Sequence, residues 1–137
     1  RIISTGWNSD ERVKEVTGGK GVPVVYDSVG KDTFPASLDC LSPRGMFVSF
    51  GGSSGSVPPF NIALLSQKGS LYATRPTLFT YASNHAALNA MSAELFALVK
   101  AGTIKPDARQ TFALKDAAEA HRSLESRRTT GATLLLP

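Results

Sequence analysis

The sequence predicts an α/β fold, the second half of a doubly wound parallel sheet, and three observations carry that reading. Two short apolar runs, Val22 to Val29 and Met46 to Phe50, each close in a loop bearing glycine and serine: Asp27-Ser28-Val29-Gly30 and Gly51-Gly52-Ser53-Ser54-Gly55. A helix-like segment separates them. Neighbouring strands of a parallel sheet read this way, with the loops at their carboxyl ends free to hold a ligand. No G-x-G-x-x-G strand-to-helix turn precedes them, so only the back half of such a sheet is expected.

The elements follow in order. Ile2-Ile3-Ser4 reads as the end of a strand. Asn8 with Glu11 resembles a capping pair that opens a helix through Val13 and Val16, which Gly18-Gly19 stop. Val22 to Tyr26 is rich in β-branched residues and is expected as a buried strand, with Pro23 at its start, where the missing N–H costs least. Asp32 is placed to cap the next helix, whose apolar face is Phe34, Leu38 and Leu41. Ser42-Pro43-Arg44-Gly45 ends that helix, and Gly45 to Phe50 is the second strand of a right-handed βαβ unit. After Pro58-Pro59, a helix from Ile62 to Lys68 stops at Gly69, and Leu71 to Thr74 reads as a third parallel strand near the sheet edge.

Beyond Arg75-Pro76 the alternation lapses. Asn84 opens the longest helix, with Leu88, Met91, Leu95 and Leu98 on one face and Gly102 at its end. Phe112 to Leu114 reads as short and extended. Asp116 with Glu119 caps a helix to about Arg127, and Thr133 to Leu136 is a final, detached strand. Two helices and a detached strand do not continue a doubly wound sheet. They are expected to pack on a different body.

Composition narrows the function classes. The 137 residues suit one ordinary domain, and 42% hydrophobic with 19% charged residues is the balance of a soluble globular protein. No apolar stretch approaches the roughly 20 residues that cross a bilayer, and no signal peptide opens the chain. It begins at Arg1 and runs straight into Ile2-Ile3, which points to a piece of a longer chain. Cys40 is the only cysteine, so no internal disulfide or thiolate zinc cluster is expected, and a reducing compartment such as the cytoplasm fits. The net charge of +4 favours an anionic ligand. The charges are scattered without interleaved aromatics, which argues against nucleic acid as the target.

The chemistry on offer is binding. His85 and His121 lie on different helices without carboxylate partners at catalytic spacing, and both read as helix-surface or packing residues. Ser53-Ser54 lack a G-x-S-x-G elbow, and no metal-ligand spacing occurs. The loops Ser28-Val29-Gly30 and Gly51 to Gly55 instead present hydroxyls and unobstructed backbone N–H groups at adjacent strand ends, suited to phosphate or amide oxygens and to a flat ring. Turn formation explains either loop taken alone. Arg75 lies at the same end, placed for a phosphate or for solvent.

Several blocks in one order carry a resemblance. They are Val25-Tyr26-Asp27-Ser28-Val29-Gly30, Ser37-Leu38-Asp39-Cys40-Leu41, Val48-Ser49-Phe50-Gly51, Lys68-Gly69-Ser70-Leu71-Tyr72-Ala73-Thr74-Arg75-Pro76, and the set Leu114 to Ala117, Ala120-His121, Leu124 to Arg127 and Thr130-Gly131. Together they resemble the zinc-free, zeta-crystallin-like quinone oxidoreductases of the medium-chain dehydrogenase/reductase superfamily, from about Glu11 to Pro137. The resemblance implies the C-terminal part of an NADPH-dependent quinone reductase, inactive by itself. Residues 1–75 would then be the C-terminal half of a Rossmann-type dinucleotide-binding domain. Residues 76–137 would return to a catalytic domain.

The same resemblance implies cofactor contacts at Ser28, Val29, Phe50, Gly51, Ser53 and Ser54, at Pro76, Thr77, Leu78 and Phe79, and at Arg127. It also implies a homodimer paired through the edge strand Leu71 to Thr74. No catalytic side chain and no metal ligand is named in this chain. Departures from the family pattern stand at Gly52, where a larger side chain is common, at Ala113 in place of a frequent proline, and at Ala132 in place of a frequent lysine. Two alternatives stay open: another medium-chain reductase or alcohol dehydrogenase acting on an enone or alcohol, and a non-catalytic crystallin-like or RNA-binding role.

Overall fold

Apolar spacing and glycine stops divide the chain much as the sequence implies, and the computed structural model describes residues 9–126 and 129–137. Two compact units result, one running to Tyr81 and the other from Ala82. The expected strand at Ile2-Ile3-Ser4, the cap Asn8, and Arg127 and Arg128 lie outside the described residues.

The first unit holds a parallel sheet in the order β1 (Val22–Asp27), β2 (Leu41–Ser49), β3 (Tyr72–Thr74). Tyr26 pairs with Val48 and Asp27 with Ser49, while Met46 pairs with Tyr72 and Val48 with Thr74. Both strand ends that carry glycine–serine loops therefore lie side by side and point the same way. α1 (Ser9–Thr17) precedes β1, and Gly18 and Gly19 follow it at positive φ. α2 (Phe34–Asp39) crosses between β1 and β2, and α3 (Ala63–Gln67) between β2 and β3.

The core of this unit forms where α2 meets the sheet. Phe34, Leu38, Leu41, Phe47 and Leu71 are buried together, with Val25, Val57, Leu64 and Leu65 packed around them. The Phe34 and Phe47 rings meet edge to face at 5.7 Å. Each such side chain contributes roughly 1.5–3 kcal/mol by leaving water. Lys68 just beyond α3 pairs with Asp39 at the end of α2, tying the two helix ends together.

Four expectations are corrected here. β1 is not buried throughout: Val25 and Asp27 turn inward, while Pro23, Val24 and Tyr26 are exposed, because the described residues cover one face of the sheet more than the other. Leu41 belongs to β2 rather than to the α2 face, since it already pairs with Val22. The next pair is Val24 with Met46, so Ser42 to Gly45 are an irregular excursion within the strand, with Arg44 at φ 61° and its N–H bonded to Gly69 O. Thr33, not Asp32, stands at the N-cap of α2, and its hydroxyl reaches the Asp27 carboxylate instead of a helix N–H.

The second unit contains α5 (His85–Lys100), α6 (Ala117–Glu125) and a parallel pair, β4 (Ala108–Ala113) with β5 (Ala132–Leu136). A short helix, α4 (Leu78–Tyr81), ends the first unit. Asn84 caps α5 by accepting a bond from Ala87 N at 2.9 Å. Leu88, Met91, Leu95 and Leu98 on that helix are exposed. The final strand is not detached. Gln110 laces it to β4, donating to Thr130 O at 2.9 Å and accepting from Thr133 Oγ1 at 3.3 Å. The expected extended segment at Phe112 is the end of β4, whose start polar Arg109-Gln110-Thr111 concealed in the sequence, and Leu114 begins a 3-10 turn rather than extending the strand. Asp116 occupies the α6 N-cap position without a side-chain bond, and Glu119 pairs with Arg122 instead.

Candidate functional site

Asp27 ends β1 and organises the loop that follows. Its side chain is 2% exposed. One carboxylate oxygen accepts bonds from Val29 N at 2.8 Å, Gly30 N at 2.9 Å and Thr33 Oγ1 at 3.0 Å. The other accepts from Thr33 Oγ1 at 2.8 Å and Ser37 Oγ at 2.6 Å. Burial by itself would raise this carboxyl's pKa. The bonds from Ser37, Gly30, Thr33 and Val29 outweigh burial and hold it below its ordinary 3.8.

The two strand-end loops are knitted to each other. Asp27 O accepts from Phe50 N at 2.9 Å and Gly51 N at 3.3 Å. Ser28 O accepts from Ser53 N at 3.2 Å, Val29 O from Ser54 N at 2.9 Å, and Gly55 O from Lys31 N at 3.0 Å. Ser54 Oγ adds a bond to Val29 O at 2.8 Å and accepts from Asp32 N at 3.1 Å. Such close contact requires glycine at two points. A Cβ on Gly51 would stand 2.8 Å from Ser28 Cα, and one on Gly30, which also has φ 92°, would overlap Gly55 O.

This corrects the picture of unobstructed N–H groups. The amides of Phe50, Gly51, Ser53 and Ser54 are spent on the neighbouring loop because the strands deliver the two loops into hydrogen-bonding range. The open space lies one strand further along. A cleft of about 580 Å³ sits at the carboxyl ends of β2 and β3, lined by Phe47, Ser49, Gly51, Phe60, Thr74 and Arg75 among others. That volume is within the usual range for small-molecule sites. Val57, Pro58 and Pro59 complete an apolar wall. Arg75 joins the ends of β3 and β2 beside the cleft, its guanidinium donating to Ser49 O at 2.8 Å.

Of the residues singled out from sequence, Ser28, Val29, Phe50, Gly51, Ser53 and Ser54 come together in the joined loops, and Gly51 lines the cleft. Ser28, Ser53 and Phe50 are exposed. Pro76, Thr77, Leu78 and Phe79 continue from the end of β3 without lining it; Leu78 and Phe79 stand exposed on α4, and Thr77 Oγ1 bonds Thr80 Oγ1 at 2.9 Å. Arg127 lies outside the described residues. Sequence reasoning missed Ser49, Thr74 and the Val57-Pro58-Pro59-Phe60 wall, and it treated Asp27 as a loop residue. An acidic residue closing an apolar run was the available signal for Asp27. His85 and His121 are exposed on their helices. Among the described residues no three His, Cys, Asp or Glu side chains group to hold a metal, so they do not fit a zinc ion.

The geometry has close counterparts among known proteins. Residues 5–135 match the family model described as zinc-binding dehydrogenase. The chain is 58% identical over 130 residues to a quinone oxidoreductase of Pseudomonas aeruginosa, covering 95% of this chain and 40% of that protein. It is 48% identical over 128 residues to a 2-haloacrylate reductase of a Burkholderia species, covering 93% of this chain and 38% of that one. The crystal structure of Escherichia coli quinone oxidoreductase complexed with NADPH superposes with TM-score 0.83 at 56% identity, over 93% of this chain and 40% of that one. The chain thus spans about 40% of the length of the relatives it matches.

Proposed function

This chain belongs to the zinc-binding dehydrogenase family, and from that premise we propose that it is the carboxyl-terminal part of an NADPH-dependent reductase whose acceptor is a quinone. One observation supports the reading above the rest. The cleft opens at the carboxyl ends of two parallel strands, where open α/β sheets take their ligands, in a chain over half identical to quinone oxidoreductases.

The residues fit a nicotinamide cofactor. Phe47, Val57, Pro58 and Phe60 give the cleft apolar walls for a flat ring, and Ser49, Thr74 and Arg75 bring polar groups to it. Ser28, Val29, Phe50, Gly51, Ser53 and Ser54 would hold the cofactor from the joined loops. Pro76, Thr77, Leu78, Phe79 and Arg127 would add contacts from the segments beyond β3. When bound, NADPH supplies the hydride. The chain's own part is to bind, to orient and to keep water out. Loops already locked by main-chain bonds need little ordering on binding, which favours affinity. No side chain here is assigned as a general acid or base. In this reading residues 1–75 complete the dinucleotide-binding domain and residues 76–137 return to the catalytic domain. β3, at the sheet edge with Tyr72, Ala73 and Thr74 exposed, pairs with a second copy in a cytoplasmic homodimer.

A second reading, reduction of an activated alkene, is favoured by the 2-haloacrylate reductase at 48% identity. The full-length protein separates the two. It should oxidise NADPH in the presence of a benzoquinone or naphthoquinone, followed by the loss of nicotinamide absorbance. Turnover with a haloacrylate and none with either quinone would overturn the quinone assignment.

A further inference from the structure

We infer that Asp27 is a positioning residue for the cofactor-binding loops, fixing the Ser28–Gly30 turn and the Phe50–Gly55 loop in the arrangement that receives NADPH. The inference rests on the reading above. Asp27 is too deeply buried to touch a ligand, so it acts through the groups it holds.

The burial of this carboxylate needs a reason. A buried charge is costly unless it is fully bonded, and no cation pairs with Asp27 among the described residues. What the carboxylate adds is a junction. Two consecutive loop amides, Val29 and Gly30, converge on one oxygen, and Ser37 from α2 anchors the other. The same residue's main-chain oxygen accepts Phe50 N and Gly51 N from the second loop. The carboxylate therefore ties β1, α2 and the first loop together, and the second loop is bonded to the main chain of Asp27 and of that first loop, so it follows where the first loop is held. Ser28, Val29, Phe50 and Gly51, which would meet the cofactor, are either neighbours of Asp27 or its bonded partners.

Steady-state kinetics and NADPH titration on the full-length protein test this, with Asp27→Asn and Ser37→Ala compared well below their melting temperatures. Asp27→Asn should raise the KM and Kd for NADPH about tenfold while kcat at saturating NADPH stays within about twofold, because misplacement of a binding group is paid at binding. Ser37→Ala removes an anchor on the α2 side alone. It should lower the melting temperature and leave the NADPH KM unchanged. A folded Asp27→Asn with the wild-type KM overturns the inference, as does a Ser37→Ala that raises KM equally. If Asp27→Asn fails to fold, hydrogen exchange on the wild-type protein decides. Val29 and Gly30 amides protected before NADPH is added support the inference, and exchange at free-peptide rates overturns it. A wild-type protein that neither binds nor oxidises NADPH overturns the functional reading instead, a result separable from the others.

Discussion

Replacing Gly51 by alanine should cost far more than replacing its neighbour Gly52. An ideal Cβ on Gly51 would stand 2.8 Å from Ser28 Cα and 2.9 Å from Ser28 C. Relaxed carbon–carbon contacts lie near 3.5–4.0 Å, so the two loops must part by about 0.7–1 Å. Five main-chain bonds join them at 2.9–3.3 Å, donated by Phe50, Gly51, Ser53 and Ser54 on one side and by Lys31 on the other. An opening of that size stretches most of them beyond useful length. Overpacking costs about 1–3 kcal/mol and each lost bond about 0.5–1.5 kcal/mol, partly relieved as water enters. A loss of about 2–4 kcal/mol is expected for Gly51→Ala. At Gly52 the Cβ would lie 3.3 Å from Gly55 O, with no positive φ, so a shift of a few tenths of an ångström accommodates it and Gly52→Ala should cost no more than about 1 kcal/mol. Urea denaturation of the two variants side by side reads the difference. Equal stability would refute the claim that the loops are in rigid contact at Gly51.

Acid stability should report on Asp27. Its folded pKa lies below the ordinary 3.8, so the folded form binds fewer protons than the unfolded form in that range. The contribution is present above the unfolded value and is lost as pH falls through the folded one, below about pH 5. An Asp27→Ala variant leaves the Val29 and Gly30 amides and the Ser37 hydroxyl without their acceptor, so it should be less stable by about 1–3 kcal/mol at neutral pH and should show a shallower acid limb by circular dichroism; an acid limb identical to the parent's would count against the network. Association can be tested on the exposed edge strand. On the proposed pairing through β3, Tyr72→Lys in the full-length protein should shift sedimentation from dimer toward monomer, since a charged edge resists strand pairing, and a parent that sediments as a monomer would overturn that pairing. An unchanged dimer would place the interface elsewhere.

The parallel βαβ core was legible because its signals are local and strong. β-branched residues at Val22 to Tyr26, the Phe34/Leu38 spacing and the stop at Gly69 each name an element without tertiary help. Boundaries failed where a distant partner decides them. Leu41 satisfies a helical period with Phe34 and Leu38, but it is captured by Val22 as a strand residue. Asp116 and Glu119 form a plausible cap in sequence, yet Arg122 three residues on takes Glu119. Only the end of β4, at Phe112 and Ala113, was legible; its first residues stayed hidden because their pairing is stabilised by Gln110, a residue with little strand preference of its own.

The candidate site was half legible, and the reason is geometric. A sequence shows that glycine and serine follow two strands, but not that parallel neighbours bring those loops close enough to consume each other's amides. Once Phe50, Gly51, Ser53 and Ser54 donate to the first loop, the room for a ligand must lie on the other side of the second loop. That side belongs to β3 and to the Val57-Pro58-Pro59-Phe60 segment, which carries no chemical signature and reads as a linker. The loops therefore serve as the stiff wall of the cleft more than as its donors. Asp27, which a sequence reading passes over as one more turn residue, becomes the residue on which that stiffness turns.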